Sequence, residues 1–167
     1  MANDQVGLEV SKWICREYPE DISLLVTLEE NDIYSLAQEL GVDSTVYKSE
    51  KQVKDLLLAK DVIPDLGFLV WWPNILKDSL LNLPFHGFVN THPSMLPFNR
   101  GKHYNFWVLV EQMPFGVTIH CVDEGVDTGD ILFQKEIQYG WEDTGESLYN
   151  KASSTMVELF KESYPTI

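Results

Sequence analysis

A chain of 167 residues, 44% hydrophobic and 23% charged, has the size and composition of one globular domain that can bury a core. Its net charge of −14 argues against phosphate backbones as the main partner, because nucleic-acid binding rests on Lys and Arg contacts. Two cysteines, Cys15 and Cys121, make no disulfide framework and point to a reducing cytosol; the N-terminus shows no basic region followed by an apolar run, and the apolar stretch at 66–76 is too short for a bilayer and holds Pro73.

Residues 3–7 read as a loop entering a helix, with Val6, Val10, Trp13 and Ile14 on one face. The apolar run at 22–27 has strand character. A helix is predicted over 29–40 and stops at Gly41, because glycine takes a left-handed conformation freely. A brief strand at 45–47 and an amphipathic helix at 50–59 follow. Residues 66–72 are nearly all apolar, as in a strand buried on both faces, and Pro73 breaks the run. A short helix is predicted within 75–83, a strand at 87–90, and a helix at 102–112. Strands at 115–122 and 131–137 precede a closing helix over 147–162, behind Asp143 and Thr144. This alternation predicts an α/β fold, a mostly parallel sheet with helices on both faces. Such folds open with an apolar strand. Only Met1 and Ala2 precede the first loop, so the chain reads as lacking that strand.

The chemistry concentrates in two segments, NTHPSMLPFNRG at 90–101 and GVTIHCVDEGVDTGDILFQ at 116–134. Asn90 and His92 end a predicted strand, two residues apart, so their side chains face the same way. Ligands of open α/β sheets gather outside such strand ends. An amide, an imidazole and the carboxylate of Asp127 are what acyl transfer between nitrogens needs. The amide steadies the acyl oxygen, the imidazole polarises it, and the carboxylate manages the amine protons.

Plainer readings stand beside these. An Asn and a His can merely satisfy loop backbone, and an acidic loop is usually solvated. His120 reads equally as a core histidine or as a neighbour of the site. Cys121 points to the opposite strand face from His120, which argues against a Cys–His nucleophile. His86, His92, His103 and His120 match no compact metal-ligand spacing. No Gly-x-Gly-x-x-Gly supports a nicotinamide cofactor.

Asn90-Thr-His92-Pro-Ser-Met-Leu96-Pro97, then Arg100-Gly101, Trp107, Gly116-Val-Thr118-Ile-His120 and Asp127-Thr-Gly129 resemble, in order and spacing, the signature of the folate-dependent formyltransferase family. The likeness is densest over 89–134. It implies a Rossmann-like formyltransferase fold across 1–167, one catalytic domain without its first strand or a C-terminal domain. It implies 10-formyltetrahydrofolate as formyl donor and no metal. It implies catalytic roles for Asn90, His92 and Asp127. It further implies folate contacts at Trp72, Asn74, Ile75 and Leu76, and at Val122, Asp123, Glu124 and Val126. The Trp71-Trp72 pair suits a core strand equally well.

The acceptor implied is a primary amine on a small molecule, met by Ser94, Arg100, Gly101 and Lys102. The segments around 98–107 look most like the sugar-modifying branch, which suggests a nucleotide-linked amino sugar. Glycinamide ribonucleotide comes second. Methionyl-tRNA comes third, because of the acidic charge. A non-catalytic remnant serving as a binding module is the reading from another class. Nothing in the chain decides self-association.

Overall fold

Short polar side chains set three of the helix starts. Asn31 accepts the amides of Ile33 (3.1 Å) and Tyr34 (3.2 Å), Ser49 accepts that of Gln52 (3.1 Å), and Thr144 forms a reciprocal capping box with Ser147. The computed structural model describes residues 1–167, the side chain of Asp78 excepted. The chain divides into two compact units, Met1–Val89 and Asn90–Ile167, and the division falls inside a strand.

The first unit runs α1 (Asp4–Glu17), β1 (Leu25–Thr27), α2 (Asp32–Glu39), β2 (Ser44–Val46), α3 (Glu50–Ala59), β3 (Gly67–Val70), α4 (Asp78–Leu81) and the opening of β4 (Phe88–His92). β1 and β2 pair in parallel, Val26 opposite Thr45. Val6, Val10, Val26, Ile33, Ala37, Val53, Leu57, Leu69 and Leu80 are buried, as the helical and strand periodicities require. Gly41 holds φ +70° after α2, the left-handed stop expected of it.

Met1 and Ala2 stand where the expected first strand would run. The Ala2 N–H donates to Val26 O (3.0 Å), Asn3 N–H to Val70 O (3.1 Å), and Val70 N–H to Met1 O (2.9 Å). Ala2 and Val70 form a parallel bridge. Met1 and Ala2 thus pair with both β1 and β3 over two residues, so Val26 and Val70 do not face bare edges.

The second unit holds the rest of β4, α5 (Tyr104–Glu111), β5 (Gly116–Cys121), β6 (Ile131–Glu136) and α6 (Gly145–Ser163). β6 lies antiparallel to β5, Val117 opposite Lys135. Between Ile119 and His120 the register shifts, because Ile119 faces Phe133 and His120 faces Ile131. Such an irregularity re-aims the strand's side chains. α6 buries Leu148, Ala152, Met156, Leu159 and Phe160, and β5 buries Val117 and Ile119.

Two predicted elements change length. The helix within 75–83 is a single turn, Asp78–Leu81, with Leu80 and Leu81 as its buried residues. The strand at 87–90 continues to His92, so the Asn90 and His92 pair lies within β4. No helix of the described residues is long and apolar enough to cross a membrane.

Candidate active site

In the second unit, β4 presents Asn90 and His92 on one side, as residues two apart on a strand must. The loop after β5 brings Asp127 to the same place. Asp127 holds φ +53°, a left-handed conformation that Asp tolerates because its short side chain bonds locally. Its Oδ2 accepts the Gly101 N–H at 2.8 Å and lies 3.4 Å from His92 Nδ1. Its Oδ1 accepts from Asn90 Nδ2 at 3.3 Å and lies 3.5 Å from His120 Nε2. The three expected catalytic residues therefore converge on one carboxylate, with exposures of only 7% for the His92 side chain and 12% for that of Asp127.

His120 belongs to this cluster. It is deeply buried, as a core histidine would be, and yet its ring meets the site. Its Nδ1 lies 2.8 Å from Cys121 O, which can only accept, so Nδ1 carries a hydrogen. In the neutral ring Nε2 is then bare and accepts from Asn90 Nδ2 at 3.2 Å. Sequence left this residue open because its partners, Asn90 and Asp127, come together only by tertiary folding.

Both amide hydrogens of Asn90 are thus engaged, one by His120 and one by Asp127. The amide expected to steady an acyl oxygen is not idle. Its two bonds are long for hydrogen bonds, so an incoming oxygen can replace one at small cost. His92 Nε2 donates to Asn99 O at 3.2 Å, and Asn99 takes φ +53° to present that oxygen.

Burial, the largest influence, holds His92 below the usual imidazole value; the His120 charge acts the same way, while Asp127 and the Asn99 carbonyl pull upward. For Asp127, burial pushes upward, but the His120 bond, the His92 charge and the Gly101 N–H outweigh it. The carboxyl rests below its ordinary range. At neutral pH the cluster therefore pairs a carboxylate with a neutral His92.

The remaining expected residues fall in varied places. Ser94 is fully buried, and its hydroxyl donates to Phe98 O at 2.8 Å, so it has no surface to offer a substrate. It instead holds the loop after β4. Thr118 does likewise: its hydroxyl donates to Ser94 O (2.7 Å) and accepts Leu96 N–H (3.2 Å) and Gln134 Nε2 (2.9 Å). Arg100 and Lys102 are exposed, whereas the Gly101 amide is committed to Asp127. Asp123 accepts from Thr128 Oγ1 (2.6 Å) and Gly125 N (3.0 Å), which holds its carboxyl low and folds the turn before Asp127. Val122 is half-buried, while Glu124 and Val126 are exposed.

In the first unit, Trp72 and Leu76 are buried, while Asn74 and Ile75 are exposed between them. The Trp72 ring stands edge-on to Tyr47 at 5.4 Å, and its Nε1 is buried without a hydrogen-bond partner among the described residues. Among the described residues no group of His, Cys, Asp and Glu is arranged to hold a metal ion.

The family model described as formyl transferase matches residues 22–163. A methionyl-tRNA formyltransferase of Thermodesulfovibrio yellowstonii is 34% identical over 137 residues, 81% of this chain and 44% of that protein. The chain therefore spans less than half the length of this relative. Among solved structures, the phosphoribosylglycinamide formyltransferase of Streptococcus pneumoniae TIGR4 superposes with a TM-score of 0.81 at 25% identity, covering 96% of this chain and 93% of the other. The formyltransferase PseJ of Anoxybacillus kamchatkensis, solved with a UDP-linked formamido sugar and tetrahydrofolate, gives a TM-score of 0.64 at 30% identity, covering 85% of this chain and 74% of the other.

Proposed function

The chain belongs to the formyl transferase family, and from that premise we propose that it moves a formyl group from 10-formyltetrahydrofolate to a primary amine of a small molecule. The observation that carries this reading is the convergence of Asn90, His92 and His120 on the Asp127 carboxylate. Bound folate supplies an activated formyl carbon. The chain's own residues do the rest.

Asp127, ionised at neutral pH, accepts a proton from the attacking amine. Its low basicity makes it release that proton readily to the departing folate nitrogen. Asn90 transfers one N–H from inside the cluster to the formyl oxygen as negative charge grows there. One donor of this kind is worth about 10²–10³ in turnover. The same growing charge favours a proton on His92, which burial otherwise opposes. His120 keeps the Asn90 amide turned toward the site. The folate is assigned to Trp72, Asn74, Ile75 and Leu76, and to Val122, Asp123, Glu124 and Val126.

For the acceptor, a nucleotide-linked amino sugar is favoured, with Arg100 and Lys102 offering exposed cations beside the Gly101 amide. The solved relative that holds a UDP-linked formamido sugar supports this choice. Glycinamide ribonucleotide is the alternative, supported by the high structural similarity to phosphoribosylglycinamide formyltransferase. A cytosolic setting is assigned from the two cysteines, which make no disulfide framework. The test is a formyl-transfer assay with 10-formyltetrahydrofolate against amino-sugar nucleotides, glycinamide ribonucleotide and methionyl-tRNA. Transfer to an amino-sugar nucleotide supports the reading, and transfer to none of the three refutes it.

A further inference from the structure

Ser49 caps α3, and Glu50 follows at the first helical position, held there by the cap and by Gln52, whose side chain accepts the Lys48 N–H at 2.9 Å. A glutamate at a helix start is ordinarily read as a partner for the helix dipole. Here its carboxylate reaches across the unit. Oε1 accepts the backbone N–H of Lys77 at 2.7 Å, and Oε2 accepts the Ser79 hydroxyl at 2.7 Å. Both bonds span more than 25 residues of sequence, so they join separate elements rather than a single turn.

The carboxylate therefore ties the start of α3 to the end of the turn after β3. Three residues before Glu50, the Tyr47 ring stands edge-on to Trp72 at the beginning of that turn. Trp71 leaves β3 at φ +52°, a conformation unfavourable for tryptophan, so the turn's shape depends on external braces. Between the braces Pro73, Asn74 and Ile75 are exposed, Ile75 at 75%.

We propose that Glu50 is a positioning residue for the formyl donor, fixing the turn at 72–77 through the Lys77 amide and the Ser79 hydroxyl. This role rests on the proposed formyl transfer. Glu50 touches no reacting atom, and its effect falls on donor binding alone.

The test compares the full chain with Glu50→Ala, Glu50→Gln and Ser79→Ala. Measured are kcat, KM for donor and for amine, and the Kd of 5-formyltetrahydrofolate by calorimetry. Glutamine keeps an acceptor for Lys77 and a partner for Ser79, yet loses the charge beside the helix start. It thus separates the brace from the dipole. Glu50→Ala is expected to raise donor KM and Kd about tenfold, the scale of lost loop-ordering hydrogen bonds, with kcat and amine KM unchanged. Glu50→Gln stays within about twofold of wild type, and Ser79→Ala falls between. Equal weakening in the alanine and glutamine variants, unchanged folate binding in Glu50→Ala, or an equal rise in amine KM overturns the role. A wild-type chain that binds no folate overturns the proposed function as well, which distinguishes the two failures.

Discussion

Replacing Asp127 by Asn removes the proton acceptor and keeps the shape of the loop. Asn tolerates the left-handed φ of +53° that Asp127 adopts, whereas Ala would add strain of about 1–2 kcal/mol. The new amide oxygen can keep the Gly101 N–H now 2.8 Å from Oδ2. Its NH2 then faces His120 Nε2 and competes with Asn90 Nδ2 for the one lone pair there. Asn90 must turn its amide, since two NH2 groups cannot bond to each other. Stability changes little, because losing bonds to a charged group is offset by no longer holding a charge at 12% exposure. Catalysis changes greatly. A positioned acid–base group contributes about 10²–10⁴ in rate, so kcat should fall roughly 10³-fold with both KM values within a few-fold of wild type. Steady-state release of tetrahydrofolate, beside a thermal scan to confirm folding, reads the outcome. A folded Asp127→Asn protein that keeps more than about a tenth of wild-type kcat refutes the assignment.

Thr118→Val keeps shape but takes the hydroxyl partner from Ser94 O and Leu96 N–H beside a fully buried side chain, while Gln134 Nε2 keeps its bond to Leu96 O; a loss of about 3 kcal/mol, or roughly 6–12 °C in Tm, is expected, and a shift below about 2 °C counts against it. Gly129→Ala places a Cβ against the Cys121 carbonyl oxygen, so the loop bearing Asp127 must lift; kcat should drop about 100-fold with circular dichroism unchanged, and normal turnover would show the loop is not seated there. His92 has a folded-state pKa below its ordinary value, so on acidification the unfolded chain binds its proton first. Its contribution makes stability decline as pH falls below about 6.5, until the lowered folded value is passed. Urea midpoints between about pH 7 and 5 should therefore slope less in His92→Asn, and parallel slopes would contradict this. Asp127 acts in the same direction at lower pH: its ionised form stabilises the fold at all pH above about 3.9 and that contribution is lost as pH falls through its lower folded value, which acid unfolding of wild type against Asp127→Asn measures.

Local patterns carried much of the fold. The helix at 50–59 needed only a serine cap and a 3.6-residue apolar period, and it forms over Glu50–Ala59. The closing helix begins behind Thr144, a residue whose hydroxyl suits that position. The alternating order of strands and helices led to the α/β class that the formyl transferase relatives share. Lengths were harder to read. Apolar residues at 75–83 suggested a helix, but a single turn buries Leu80 and Leu81 sufficiently.

What this sequence determines by itself is short-range: which residues favour each element, and that Asn90 and His92, two apart on a strand, share a face. Their pairing with Asp127 was legible only through the resemblance of ordered motifs, since the 34 residues between His92 and Asp127 give no local signal. Tertiary structure decided the rest. It enlisted His120 by placing a register shift beside it, and made the Gly101 amide an anchor for the carboxylate. It buried Ser94 beneath its own loop and stretched Glu50 across the first unit to Lys77 and Ser79. The physical reason is common to all four. A side chain's propensity depends on its immediate neighbours in sequence, whereas burial and hydrogen-bond partners depend on what folding brings within about 3 Å, which no local pattern encodes.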